Sequence, residues 1–66
     1  MNIVLNGEPR TLDPENDLGQ LVERLSLPSK RIAVELNGAV IRRADWPQTQ
    51  VKDGDRIEVV HFVGGG

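Results

Sequence analysis

Three consecutive glycines at the carboxyl end are the residues whose chemistry most needs an explanation. Gly64, Gly65 and Gly66 follow an apolar segment with the pattern of a β-strand. Glycine has no side chain that could pack, and it loses more conformational freedom on folding than any other residue. The reactive group there is the α-carboxylate of Gly66, which is ionised at neutral pH. A carboxylate is a poor electrophile, so acyl transfer from this group requires prior activation. We expect this tail to be the working part of the molecule.

The other side chains capable of chemistry do not form a recognisable catalytic set. His61 could act as a base or a metal ligand. A nucleophilic site would also need a serine or cysteine beside it and a third, orienting group, and the sequence suggests no such set. We therefore interpret His61 as a structural residue and predict no catalytic site. Five carboxylates lie near a turn or a predicted helix start, which are common structural positions for acidic residues: Asp13, Glu15, Asp17, Asp53 and Asp55.

Length and composition exclude several classes of function. The chain has 66 residues, enough for one small domain. It has no cysteine and one histidine, which excludes disulfides and a conventional zinc cluster. Its 8 basic and 10 acidic residues give a formal charge of −2, whereas proteins that bind phosphate backbones usually carry a positive excess. We expect no metal, no permanently bound cofactor and no nucleic-acid partner.

The amino-terminal segment has no basic region followed by a long apolar stretch, as a signal peptide would have. No apolar run approaches the roughly 20 residues that cross a bilayer as a helix. We therefore expect a cytoplasmic protein with no membrane partner.

Two Asn-Gly pairs predict two β-hairpins. Asn6-Gly7 and Asn37-Gly38 each separate apolar segments, and two-residue hairpin loops favour this pair because both positions need positive φ. A further turn at residues 53–55 precedes the last apolar segment. The predicted strands cover residues 3–5, 9–12, 32–36, 39–42 and 56–62.

One α-helix is predicted over residues 17–26. Its apolar residues recur with the spacing i, i+3, i+4 and i+7, which forms one stripe along a helix. Asp17 and Gln20 can form a capping box at its start, and Leu27-Pro28 should end it. Gly19 weakens the first turn by about 1 kcal/mol relative to alanine. The stripe consists of Leu18, Leu21, Val22 and Leu25.

These elements predict an α+β fold of the β-grasp type. A single amphipathic helix must cover one face of a small sheet. A strand that returns after a helical crossover can lie parallel to an earlier strand, so the sheet should be mixed. We predict a four- to five-stranded sheet packed on one main helix, with residues 1–63 as one domain and residues 64–66 as a flexible tail.

The last predicted strand carries apolar residues on both faces. Alternation places Ile57 and Val59 on one face and Val60 and Phe62 on the other. One helix covers one face, so Val60 and Phe62 should lie in an exposed apolar patch, and such patches often mark contact surfaces. The alternative is that Trp46 and its loop cover them, although we interpret Trp46 as a core residue. With the neighbouring Val63, Val60 and Phe62 form the predicted partner-binding surface.

Over essentially its whole length the sequence resembles the ThiS-type family of ubiquitin-like sulfur carriers. A glycine pair alone would be a weak signal, but here it ends the chain directly after an apolar strand. The other matching features are a turn motif, the loop around Trp46 and an Asp-Gly-Asp turn. In this sequence the segments are Val34-Glu35-Leu36-Asn37-Gly38, Asp53-Gly54-Asp55 and Val60-His61-Phe62-Val63-Gly64-Gly65-Gly66.

The resemblance implies a non-enzymatic carrier that works through Gly66. An adenylating enzyme of the ubiquitin-activating type (ThiF-like) would use ATP to convert the Gly66 carboxylate into an acyl-adenylate. A persulfide donor would then supply sulfur, and the resulting covalent thiocarboxylate would serve thiazole synthase (ThiG-like) in making the thiazole ring of thiamine. Gly64 and Gly65 would thread the partner's active site. Family members typically end in two glycines, so Gly64 is an additional position that lengthens the tether.

Several other functions remain open from the sequence. The small subunit of molybdopterin synthase has the same chemistry, although such chains tend to be longer and usually approach the final glycines through a Pro-Pro segment that is absent here. A ubiquitin-like modifier joined to lysines and a non-covalent adaptor are further alternatives. An independent enzyme is the least favoured, because no catalytic set is visible.

Overall fold

The structure, a computed structural model, describes residues 1–13, 17–27 and 29–62. Its elements follow the order predicted from the sequence: hairpin, helix, hairpin, connection and strand. The strands are β1 (Asn2–Leu5), β2 (Glu8–Thr11), β3 (Ile32–Leu36), β4 (Ala39–Ile41) and β5 (Arg56–His61), the helix is α1 (Leu18–Arg24), and two 3₁₀ helices cover Ser29–Arg31 and Arg43–Gln48.

Both predicted Asn-Gly turns are confirmed by their backbone angles. Asn6 and Gly7 have φ values of 49° and 82°, and Asn37 and Gly38 have values of 52° and 88°. Left-handed angles at both positions match the twist of the flanking strands, so the turn can close a hairpin with two residues. The pairing of β1 with β2 and of β3 with β4 follows directly from these turns.

The five strands form one mixed sheet in the order β2-β1-β5-β3-β4. β5 lies between the two hairpins, parallel to β1 and antiparallel to β3. With α1 packed on one face, this is the α+β, β-grasp arrangement predicted from the sequence. The strand from which the tail departs is therefore the central strand of the sheet.

The start of α1 is as predicted, but its end is not. Asp17 accepts the backbone N–H of Gln20 at 2.8 Å, and the Gln20 side chain accepts the N–H of Asp17 at 3.4 Å, which completes the capping box. The helix ends at Arg24, so the predicted end at residue 26 is wrong. Ser26 takes a left-handed conformation with φ of 56° and terminates the helix there. The predicted stop at Pro28 lies outside the described residues.

The core lies between α1 and the inner face of the sheet. The least exposed large side chains come from the helix and from β1, β3 and β5, and Trp46 is 4% exposed beside them. The indole Nε1–H of Trp46 donates to the Ile41 carbonyl oxygen at 2.9 Å. The prediction that Trp46 is a core residue is therefore confirmed. The fully buried side chains are Ile3, Leu18, Leu21, Val34 and Ile57.

Packing explains why glycine occupies position 19 in the first turn of α1, where its helix propensity is unfavourable. A Cβ at this position would lie 3.1 Å from the capping oxygen of Asp17 and 3.7 Å from the backbone nitrogen of Pro47. The contact with the Asp17 oxygen would be tight for a Cβ, whereas the separation from Pro47 is ordinary van der Waals contact, so glycine at this position mainly leaves room for the helix cap. Within the described ranges, neither the α-helix nor the 3₁₀ helices have the length and apolar character needed to cross a membrane.

Candidate functional site

β5 presents one face to the core and the other to solvent. Ile57 is 1% exposed, whereas Val60 is 51% and Phe62 is 60% exposed. The register places Val60 opposite Ala33 on β3, whose small side chain cannot cover it. The predicted exposure of Val60 and Phe62 is therefore confirmed.

A third apolar side chain extends this exposed surface. Val40 on β4 is 67% exposed and pairs with Glu35, while Val60 pairs with Ala33, so both valines lie on the face of the sheet opposite α1. We call Val40, Val60 and Phe62 the outer patch. They are the exposed large hydrophobic residues of the described part of the chain. The exposure of Val40 was not predicted from the sequence. The two-residue hairpin places Val40 opposite Glu35, and this pairing could have indicated that Val40 lies on the solvent-facing side of the sheet.

Trp46 borders the outer patch without covering it. A shallow groove of about 360 Å³ runs between the patch and the Arg43–Gln48 helix. Val60 and Phe62 are both more than half accessible, so the alternative that Trp46 and its loop cover them is wrong. The groove is lined by Ile32, Ala33, Val40, Ile41, Arg42, Arg43, Trp46 and Phe62. The groove thus combines apolar side chains with two arginines and is lined in part by Phe62, the last described residue.

Hydrogen bonds hold β5 in place up to its end. The Phe62 N–H donates to the Arg31 carbonyl oxygen at 2.8 Å, so the backbone is anchored where the described chain stops. Val63, Gly64, Gly65 and Gly66 lie outside the described residues. Their predicted roles as partner contact, threading segment and carrier of the reactive carboxylate therefore stay predictions.

Two asparagine side chains bind β5 from opposite sides, and sequence reasoning missed both. The Asn6 Oδ1 accepts the Val59 N–H at 2.7 Å. The Asn37 Oδ1 accepts the Arg56 N–H at 2.8 Å, and its Nδ2 donates to Asp55 at 3.0 Å. Both asparagines were recognised for their positive φ alone. Their amide groups add hydrogen bonds that glycine at the same turn position could not make.

The acidic residues have structural partners, as their positions suggested. Asp53 accepts the Asn2 N–H at 2.6 Å, and Asp55 accepts the Lys52 N–H at 2.7 Å. An exposed ion pair joins Asp13 to Arg24 at 3.2 Å, and Glu15 lies outside the described residues. His61 is exposed at the end of β5. Among the described side chains, no group of three or more His, Asp or Glu residues is arranged to hold a metal ion.

Comparisons with known proteins agree with this geometry. The family model described as "ThiS family" matches residues 3–66. The crystal structure of the thiamine biosynthesis protein ThiS from Geobacter metallireducens superimposes with a TM-score of 0.90 at 39% sequence identity, and the match covers 100% of both chains. The match therefore spans the fold and the strand that bears the outer patch.

Curated relatives fall into two groups by length. The sulfur carrier protein ThiS of Thermus thermophilus is 37% identical over 62 residues, which cover 94% of this chain and 95% of that protein. A thiazole synthase of Paramagnetospirillum magneticum is 36% identical over 66 residues, the whole of this chain but 20% of that protein. The chain thus spans about a fifth of the length of that synthase and nearly the full length of the carrier.

Proposed function

The chain belongs to the ThiS family, and on that premise we propose that it is the sulfur carrier for the thiazole ring of thiamine. The observation that carries this proposal is the family match over residues 3–66, which includes the glycine tail. The exposed outer patch on the strand that leads to the tail supports it further. The protein acts as a co-substrate, and its partners supply the catalytic groups.

The chemistry proceeds in three balanced steps at Gly66. A carboxylate oxygen attacks the α-phosphorus of ATP, pyrophosphate leaves, and an acyl-adenylate forms. The terminal sulfur of a persulfide then attacks the carbonyl carbon and AMP leaves with one of the original carboxylate oxygens. A second thiol cleaves the resulting sulfur–sulfur bond, supplies the two electrons through disulfide formation, and releases the thiocarboxylate. Because the chain has no cysteine, both the persulfide and the thiol belong to partner proteins.

In this proposal the reacting end is distinct from the docking surface. Fully extended, residues 63–66 reach at most about 14 Å, which lets the terminus enter a nucleotide site while the folded body stays outside. Glycine offers no Cβ that could obstruct the site, but ordering it on binding costs entropy. Burial of Val60, Phe62 and Val63 against the adenylating enzyme offsets that cost.

Thiazole synthase is the proposed acceptor of the sulfur. In the Paramagnetospirillum magneticum relative, a segment similar to this chain is part of a protein named thiazole synthase. Such a shared polypeptide supports a functional link between carrier and synthase. The curated relatives also include carriers named ThiS. Together with the thiazole synthase match, they favour the thiamine pathway over the molybdopterin alternative.

Intact-mass measurement tests the proposal. The protein is incubated with ATP, a persulfide donor and its cognate ThiF-like adenylating enzyme, and the expected product shows an oxygen-for-sulfur exchange confined to the C-terminal peptide. Gly66→Val, or one residue appended after Gly66, should block the exchange while leaving the circular dichroism spectrum unchanged. Omission of ATP provides the second control. Normal loading of either variant would refute the terminal-carboxylate mechanism.

A further inference from the structure

β5 divides its backbone hydrogen bonds between its two neighbours. The Phe62 N–H donates to the Arg31 carbonyl, and the Arg56 carbonyl accepts the Asn37 N–H. The backbone N–H and C=O groups of the even-numbered residues therefore point towards β3. The Ile57 carbonyl accepts the Asn6 N–H at 2.9 Å, so the backbone N–H and C=O groups of the odd-numbered residues point towards β1. This alternation is the ordinary geometry of a strand in the interior of a sheet.

The β1 side of β5 runs out of partners before β5 ends. β1 stops at Leu5, opposite Ile57, and the chain turns away towards β2. The Asn6 side chain accepts the Val59 N–H and makes the last bond on this side. The Val59 carbonyl and the His61 N–H come next, and within the described ranges no hydrogen bond joins either group to the chain. We call these two groups the open edge.

The other free edges of the sheet are protected, and the open edge is not. β2 carries Pro9 between the charged residues Glu8 and Arg10, and β4 has three residues. Proline, charge and short length are devices by which proteins prevent strand addition at an edge. The segment Val59–Phe62 contains no proline or lysine, and His61 is exposed.

We infer that the open edge accepts an extended segment of the adenylating enzyme, which adds to the sheet beside β5. The inference rests on the proposed function, because the open edge immediately precedes the residues that must reach that enzyme's nucleotide site. A carbonyl acceptor followed two residues later by an N–H donor matches the repeat of a partner strand. The outer patch supplies apolar contact, whereas this edge fixes the direction in which the tail leaves the body.

Backbone modification at His61 tests the inference without changing a side chain. A 66-residue chain is accessible to chemical synthesis, and N-methylation of His61 removes its N–H and places a methyl group on the open edge. The β3 ladder is retained because His61 faces away from it. We expect affinity for the cognate adenylating enzyme to fall about ten-fold or more, as measured by titration calorimetry. N-methylation of Thr11, whose N–H points away from β1 on the free edge of β2 and which lies outside the outer patch, is the matched control and should leave affinity unchanged.

The outcomes separate this inference from the proposed function. If the unmodified synthetic chain acquires sulfur and the His61 N-methyl chain binds equally well, the strand addition is refuted while the carrier function stands. If the unmodified chain binds but acquires no sulfur, the carrier function fails. The affinity comparison then still tests whether the enzyme adds a strand at the open edge. If the unmodified chain does not bind, both fail. A free chain that self-associates through His61 would instead assign the edge to a second copy and overturn the inference.

Amide hydrogen exchange gives an independent readout. In the free protein the His61 amide should exchange quickly and the Phe62 amide slowly, because the latter donates to Arg31. Saturation with the adenylating enzyme should slow exchange at His61 by at least about ten-fold. Unchanged exchange at His61 in the complex would contradict strand addition.

Discussion

The two turn asparagines show how one residue type can serve local and distant structure together. Their left-handed φ values follow from the Asn-Gly pair and could be predicted from sequence. Their side-chain bonds join Asn6 to Val59 and Asn37 to Arg56, across 53 and 19 positions of sequence. Such long separations depend on how the hairpins dock around β5, so local patterns could not reveal them. The two Asn-Gly turns thereby close their hairpins and also hold β5 in place through hydrogen bonds.

Asn37→Gly should separate these two roles. Glycine accepts the positive φ without strain but removes the bonds to Arg56 and Asp55. We expect the free energy of unfolding to fall by about 1–2 kcal/mol, measured by urea denaturation. Asn6→Gly removes a single bond and should cost about half as much. Equal midpoints for Asn37→Gly and the parent chain would show that the side-chain bonds do not contribute to stability.

Phe62→Asp should weaken docking on the adenylating enzyme without unfolding the protein. Phe62 is 60% exposed, so its replacement removes apolar contact surface and places a charge in the interface. We expect at least about a ten-fold loss of affinity in a titration. Thr11→Asp introduces the same group on the edge strand β2, which β1 separates from β5, and serves as the control. Unchanged affinity for the Phe62 variant would remove the outer patch from the interface.

At the scale of elements, the sequence predicted the existence and type of each segment better than its ends. The apolar stripe and capping box identified the start of α1 correctly. Its end was predicted from Pro28, whereas the chain reverses at Ser26, where the Ser26 N–H bonds to Glu23 and the Leu27 N–H bonds to Val22. This is the hydrogen-bond pattern of a Schellman motif with serine in place of the usual glycine. The end was missed because serine carries no strong signal for a left-handed backbone.

Ser26→Gly should therefore stabilise the fold. Glycine adopts the observed φ of 56° without the steric cost that a Cβ imposes. We expect an increase in the free energy of unfolding of about 1 kcal/mol, measured by chemical denaturation. Ser26→Ala removes the hydroxyl but keeps the Cβ, so it should give no increase. A gain of the same size in both variants would assign the effect to the hydroxyl and contradict the backbone explanation.

At the scale of the whole molecule, the β-grasp arrangement followed from the element order and one amphipathic helix. The exposed face of β5 followed from alternation, and the structure confirms Val60 and Phe62 there. The full extent of the outer patch did not follow, because Val40 joins it through the docking of β4 on β3 and β3 on β5. The roles of Val63 and of the three glycines stay predictions, because these residues lie outside the described part of the chain and are included only in the family match.

Folding and sulfur transfer should be separable by deletion of residues 64–66. Within the described residues the buried core lies between Ile3 and Ile57, and the deleted glycines have no side chains to contribute to it. We expect the free energy of unfolding to change by less than about 0.5 kcal/mol and thiocarboxylate formation to be abolished. Gly66→Val, which keeps the tail at full length, distinguishes loss of the reacting end from loss of reach. A clipped chain that still supports thiazole formation would show that the carboxylate at position 66 is not the sulfur carrier, and the folded body would then have to act by contact alone.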